Sequence, residues 1–103
     1  MRDYIHMTTF TNQVQLETAV AEWMSDAAAA EANHGHISVW NTSQITNMRR
    51  LFSADRQDGT ENFSEDIDGW DTSKVTDMDR MFRGASSFNQ DLNSWDTARV
   101  TDM

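Results

Sequence analysis

Cysteine is absent from this sequence of 103 residues, and the chain has no long apolar run. Without cysteine there is no disulfide framework, no thiolate nucleophile and no cysteine-ligated zinc site. The first ten residues, MRDYIHMTTF, lack the apolar core of an export signal, and no segment has the length of a membrane span. We therefore expect no membrane insertion, while the cellular location stays open.

Basic residues are also scarce, since 8 Lys and Arg stand against 17 Asp and Glu and give a formal net charge of −9 at pH 7. A charge of this sign repels phosphate backbones and anionic lipid surfaces. We therefore expect no nucleic-acid partner. Cations, basic proteins or neutral glycans suit the charge better, and a purely solubilising role for it is an open alternative.

Residues 11–34 are rich in helix-forming residues. Leu16, Val20 and Trp23 recur at helical spacing, and Gly35 follows where the end of a helix favours a left-handed residue. The pattern predicts one amphipathic helix over residues 11–34.

The rest of the chain, residues 35–103, is a tandem repeat. The stretches WNTSQITNM, WDTSKVTDM and WDTARVTDM begin at Trp40, Trp70 and Trp95, and the last two share seven of nine residues. The first interval is longer than the second because SADRQDGTEN replaces RGASS, which indicates an inserted surface loop. We expect the helix and the repeats to form a single domain over residues 1–103.

Large apolar residues recur at corresponding positions of these units, and we predict that they form the core between neighbouring units. Short segments such as EDIDGW resemble strands, and the following VTDM stretch favours a helical turn. One strand and one helical turn per unit predict an α/β solenoid. The predicted core consists of Trp40, Ile45, Met48, Phe52, Phe63, Ile67, Trp70, Val75, Met78, Phe82, Phe88, Leu92, Trp95, Val100 and Met103.

The stretch MFRGASSFNQDLNSWDTARVTDM resembles the repeat of the BspA-type leucine-rich-repeat surface proteins, which include mycoplasma surface lipoproteins. The resemblance covers residues 35–52 and 63–103 and extends to the preceding helix. It implies a leucine-rich-repeat-like solenoid with an N-terminal capping helix, displayed at the cell surface or secreted and used for adhesion or binding. No C-terminal cap is recognisable in this chain, so the last coil is expected to be uncapped.

Acidic residues at EDIDGWD form a weak calcium candidate, with oxygen donors at Glu65, Asp66, Asp68 and Asp71. The segment lacks the frame and the terminal glutamate of an EF-hand, and hydrogen bonds to the local backbone explain these residues equally well. We therefore favour no metal, and no motif indicates a cofactor.

No nucleophile motif accompanies the three histidines, so we expect no enzyme. The sequence favours a non-catalytic repeat module for protein interaction or surface adhesion. The alternative is a structural subunit that assembles head to tail. Met48 and Met78 are each followed four residues later by phenylalanine, whereas Met103 is not. We expect this C-terminal edge to be covered by a second copy, by a longer parent chain or by a protein partner.

Overall fold

The structure is a computed structural model that describes residues 9–101. Within this range there are two α-helices, α1 (Gln13–Ser25) and α2 (Ala27–His34), and two short 3-10 turns, Ile37–Val39 and Thr60–Asn62. The helices precede the repeat units. None of the helices in the described part of the chain is long and apolar enough to cross a membrane.

The single helix predicted over residues 11–34 is wrong, because Asp26 divides it. Asp26 has non-helical backbone torsions, and its side chain accepts a hydrogen bond of 3.2 Å from the N–H of Ala29 at the start of α2. An aspartate in this position caps a new helix rather than continuing the old one. Asn12 caps α1 in the same way, accepting from Gln15 N–H at 2.9 Å.

The predicted α/β fold, a leucine-rich-repeat-like solenoid, is also wrong. Residues 9–101 contain no sheet, and their only β pairing consists of two isolated parallel bridges, Thr9 with Asn41 and Asn47 with Asp77. Residues 36–40, HISVW, which correspond to EDIDGW in the first unit and were likewise predicted as a strand, hold the 3-10 turn Ile37–Val39. The stretch after Val75 forms turns rather than a helix.

The cause of this difference is the short polar residues of the repeat. Their side-chain oxygens accept hydrogen bonds from the backbone N–H two residues ahead, which closes a local turn and removes that N–H from any ladder. This bond recurs throughout the units, at Asn41, Asn47, Asp66, Asp71, Asp77, Asp91 and Asp96.

Successive units nevertheless pack on one another in register. The rings of Phe52 and Phe82 are stacked at 5.5 Å between centroids, and those of Phe63 and Phe88 at 5.8 Å. The repeat alignment therefore pairs residues that are in contact in the folded chain, although the backbone between them is not the predicted one.

Backbone hydrogen bonds join the first two units side by side: the Thr76 N–H of the second unit donates to Thr46 O at 2.8 Å, and four bonds run in the other direction. The N–H groups of the first unit donate to carbonyl oxygens of the second over distances of 2.7 to 3.0 Å, in the pairs Met48 to Asp77, Arg50 to Asp79, Phe52 to Met81 and Ala54 to Arg83. Arg50 and Arg80 both have a positive φ, so the left-handed conformation recurs at the same position of the two units. The first unit therefore presents N–H groups to the second.

The insertion between Phe52 and Phe63 is packed rather than free. Gly59 adopts a φ of 93° beside Met24 of α1, and Thr60 is fully buried. The insertion therefore links the helical segment to the repeats.

Candidate functional site: the C-terminal face of the repeats

Exposure of the predicted core residues rises from the first unit to the third. Trp40 and Trp70 are each only 2% exposed, whereas Trp95 is partly buried. Buried rings cannot present a face to a sugar, so Trp40 and Trp70 form no carbohydrate platform. The other buried members are Ile45, Met48, Phe52, Phe63, Ile67, Val75 and Met78, the partly buried ones are Phe82, Phe88, Leu92 and Val100, and Met103 lies outside the described residues.

An apolar groove of about 640 Å³ opens where these partly buried side chains lie. Its walls come from the second and third units. The lining residues are Met78, Arg80, Met81, Phe82, Leu92, Asn93, Trp95 and Thr97. We call this groove and its rim the C-terminal face.

Backbone donors at the C-terminal face have no acceptor within residues 9–101. They are the N–H groups of Arg80, Phe82 and Gly84, whose counterparts in the first unit donate to the second unit. Arg80 and Gly84 are exposed and Phe82 is partly buried, so these N–H groups are accessible to a partner that supplies carbonyl oxygens.

The repeated threonine shows the same change along the chain. The hydroxyl of Thr42 donates to Asp71 O at 3.1 Å, and that of Thr72 donates to Asp96 O at 3.1 Å. Both threonines are buried, whereas their counterpart Thr97 is exposed on the groove and its hydroxyl makes no hydrogen bond within the described range.

Charge at this face is mixed. Arg80 is about half exposed, and its guanidinium lies 4.0 Å from the carboxylate of Asp79. The Nε of Arg49, in the first unit, lies 3.4 Å from the same carboxylate. Exposed pairs such as these stabilise the fold only slightly, but they place both signs of charge beside an apolar floor.

The weak calcium candidate is not assembled as a cluster. Asp66 accepts from the N–H of Asp68, Asp68 accepts from the N–H of Ser94, and Glu65 lies 3.7 Å from His36. Across residues 9–101 no three His, Asp or Glu side chains are arranged to hold a metal ion.

Asp71, the fourth residue of the calcium candidate, is hydrogen-bonded to the neighbouring Ser73. Its carboxylate accepts from the hydroxyl of Ser73 at 2.7 Å and from the Ser73 N–H at 3.0 Å. These two hydrogen bonds lower the pKa of the Asp71 carboxyl below its ordinary value. Asn41 makes the same pair of bonds to Ser43 in the first unit.

His34 and His36 join the helical segment to the first unit. His34 Nε2 lies 2.9 Å from Glu22 Oε1, and its ring packs edge-on against Trp40. His36 packs edge-on against Trp23. Both rings therefore belong to the packing between helix and repeat.

The sequence identified Met78, Phe82, Leu92 and Trp95 as core but did not identify the groove that they line. The repeated threonine could have indicated this groove. Thr42, Thr72 and Thr97 align in the sequence, so the hydroxyl of Thr97 is expected at the face that would contact a following unit. The residue types at Arg80 and Phe82 do not indicate that their backbone N–H groups are available as hydrogen-bond donors.

Repeated units packed in register, with one face open, define the chain as a tandem-repeat protein. A family model described as "Mycoplasma protein of unknown function, DUF285" matches residues 18–103, and the chain belongs to this family. No curated protein and no solved structure matches the chain.

Proposed function

We propose that this chain is a non-catalytic module that binds protein through the C-terminal face of its repeats. The observation that carries the proposal is that one groove combines apolar side chains with backbone N–H groups that have no acceptor within residues 9–101. Polypeptides supply both the apolar side chains and the carbonyl oxygens that such a groove accommodates.

We further propose that the repeat belongs to the BspA surface-protein type, so that the binding serves adhesion at a cell surface. The support for this finer assignment is the sequence MFRGASSFNQDLNSWDTARVTDM together with the mycoplasma family of the chain. The net charge of −9 favours partners that are basic or neutral.

The test is selection of binders from a library of random displayed peptides, followed by measurement of their affinity for two variants of the chain. Thr97→Arg places a long charged side chain on the groove. Thr46→Arg makes the same change at an exposed threonine of the first unit, outside the groove. We expect binders whose affinity falls about tenfold or more with Thr97→Arg and is unchanged with Thr46→Arg. Failure to select any peptide with this dependence contradicts the proposal.

Head-to-tail assembly is the second candidate, and a separate apolar hollow favours it. This hollow, of about 410 Å³, lies beside α1 and contains Phe10, Ala19 and Val14, which is 69% exposed. If the hollow receives the C-terminal face of another copy, the contact is heterologous and can propagate. Sedimentation then shows a mass that grows with concentration and is reduced by either Val14→Asp or Thr97→Arg. A mass that stays at one chain contradicts assembly.

A further inference from the structure

We infer that a group of arginines in the first two units binds acidic polypeptide segments through their carboxylate groups. We call this group the arginine patch, and its members are Arg49, Arg50, Arg56, Arg80 and Arg83. Of these five residues only Arg80 also lines the groove of the C-terminal face. The inference therefore goes beyond the proposed function and concerns a second surface.

The fold concentrates basic side chains at the arginine patch. Five of the eight Lys and Arg residues of the chain fall within residues 47–56 and 77–84. Backbone hydrogen bonds such as the one from Arg50 N–H to Asp79 O place these two segments side by side. The segments contain five arginines and three aspartates, so they carry a formal charge of +2 in a chain of −9. The patch is therefore opposite in sign to the rest of the chain.

Carboxylates already occupy positions between the arginines of neighbouring units. The carboxylate of Asp79 lies 3.4 Å from Arg49 Nε and 4.0 Å from Arg80 Nη1. That of Asp55, in the first unit, lies 3.3 Å from Arg83 Nε in the second. Paired N–H donors of a guanidinium suit the two oxygens of a carboxylate. The spacing of this patch is therefore one that carboxylates fit.

Two arginines of the patch have no carboxylate partner within residues 9–101. Arg56 donates to the backbone carbonyls of Arg50 and Leu51, at 3.2 and 3.1 Å. The side chain of Arg50 has no acceptor in this range, and its Nε is removed from solvent. A guanidinium that is partly withdrawn from water without an anion costs free energy. A ligand carboxylate that pairs with Arg50 removes part of this cost.

Acidic polypeptide fits the arginine patch better than nucleic acid or anionic lipid does. Arginine binds carboxylate and phosphate alike, so the five side chains alone do not decide between these ligands. The overall charge decides, because an extended phosphate backbone or a lipid surface also meets the acidic remainder of the chain and is repelled by it. A short run of Glu or Asp meets the patch alone. Elsewhere on the chain, the negative charge still favours basic or neutral partners.

The experiment titrates a fluorescent oligoglutamate peptide with the complete chain at low ionic strength, and oligoglutamine of the same length is the control peptide. Arg50→Gln and Arg83→Gln each remove one charge from the patch. Arg99→Gln is the matched control, because it removes the same charge at an exposed arginine of the third unit. Circular dichroism shows whether each variant is folded, and Arg83→Gln carries the test if Arg50→Gln does not fold.

We expect saturable binding of oligoglutamate and none of oligoglutamine. The affinity should fall about fivefold or more with either patch variant and less than about twofold with Arg99→Gln. Equal losses in all three variants overturn the inference, because they show attraction by the overall charge rather than by the patch. Absence of oligoglutamate binding also overturns it. A single-stranded oligonucleotide of equal charge is the last probe, and tighter binding of this probe than of oligoglutamate contradicts an acidic polypeptide as the ligand.

Discussion

The indole N–H of Trp70 donates a hydrogen bond of 2.8 Å to the carbonyl oxygen of Ile37, which lies 33 residues earlier in the chain. Trp95 makes the corresponding bond to Ile67 at 2.9 Å. Trp70 and Trp95 therefore each pack against the preceding unit and donate to one of its backbone carbonyls. Aromatic packing and backbone hydrogen bonding act at the same contact.

Replacing Trp70 with alanine should lower the free energy of unfolding by roughly 3–5 kcal/mol, the usual loss for a large buried aromatic. The loss combines an emptied volume beside Trp40 with the hydrogen bond from the indole N–H to the carbonyl oxygen of Ile37. Trp95→Ala should cost less, because Trp95 is only partly buried. Urea unfolding of both variants measures the difference. Equal losses of unfolding free energy would show that the greater exposure of Trp95 does not reduce its contribution to stability.

Asp71 should make stability depend on pH in a direction that the structure fixes. Its folded pKa is lowered by the bonds from Ser73, so its stabilising contribution is present above the unfolded pKa and is lost as pH falls through the folded pKa. Asp71→Asn keeps both acceptor bonds, as Asn41 shows, and cannot titrate.

The free energy of unfolding of the parent chain should therefore fall more between pH 7 and about pH 3 than that of Asp71→Asn. The difference should remain under about 1 kcal/mol because the carboxyl is exposed to solvent. If the free energy of unfolding falls equally with pH in the two proteins, Asp71 does not contribute to acid sensitivity.

Gly84 should tolerate a methyl group poorly. Gly84→Ala imposes a positive φ on alanine, at about 1–2 kcal/mol, and drives its Cβ toward Ala54, so we expect a total loss of roughly 2–3 kcal/mol. Gly69→Ala is the matched control, since its added Cβ meets nothing closer than 3.7 Å, and it should change stability by about 0.5 kcal/mol or less.

The double variant Ala54→Gly with Gly84→Ala separates the two causes. It removes the clash between the two side chains but retains the positive φ, so it should recover part of the loss relative to Gly84→Ala. If thermal or urea unfolding shows no recovery, then the close approach of the two units at this point does not limit stability.

The register of the repeats could be predicted from the sequence, but their secondary structure could not. The aromatic residues align because each must stack on the next, as Phe52 does on Phe82 and Trp40 on Trp70, and stacking requires an aromatic side chain. Backbone hydrogen bonds between units do not require a particular residue type. The aspartates and asparagines that resembled strand flanks and helix caps instead close turns at two-residue spacing, as at Asp71 and Asp77, and residues 9–101 contain no sheet.

The candidate site was predictable only in part, for the same reason. Leu92 and Trp95 were expected in the core, and they lie at its open end because packing on one side alone leaves them partly buried. The N–H groups of Arg80 and Phe82 depend on a left-handed arginine, which sequence patterns do not indicate because arginine rarely adopts this conformation.

The central claim is that the C-terminal face binds polypeptide through the N–H groups of Arg80, Phe82 and Gly84. Residue-resolved amide hydrogen exchange tests it, with and without a synthetic peptide that has the sequence of residues 70–88. In the free chain, the amides of Arg50, Phe52 and Ala54 should be protected and those of Arg80, Phe82 and Gly84 should exchange fast. Saturating peptide should slow exchange at the second set and leave the first set unchanged. Unchanged exchange at Arg80, Phe82 and Gly84 in the presence of the peptide, or protection already present without it, would contradict the account.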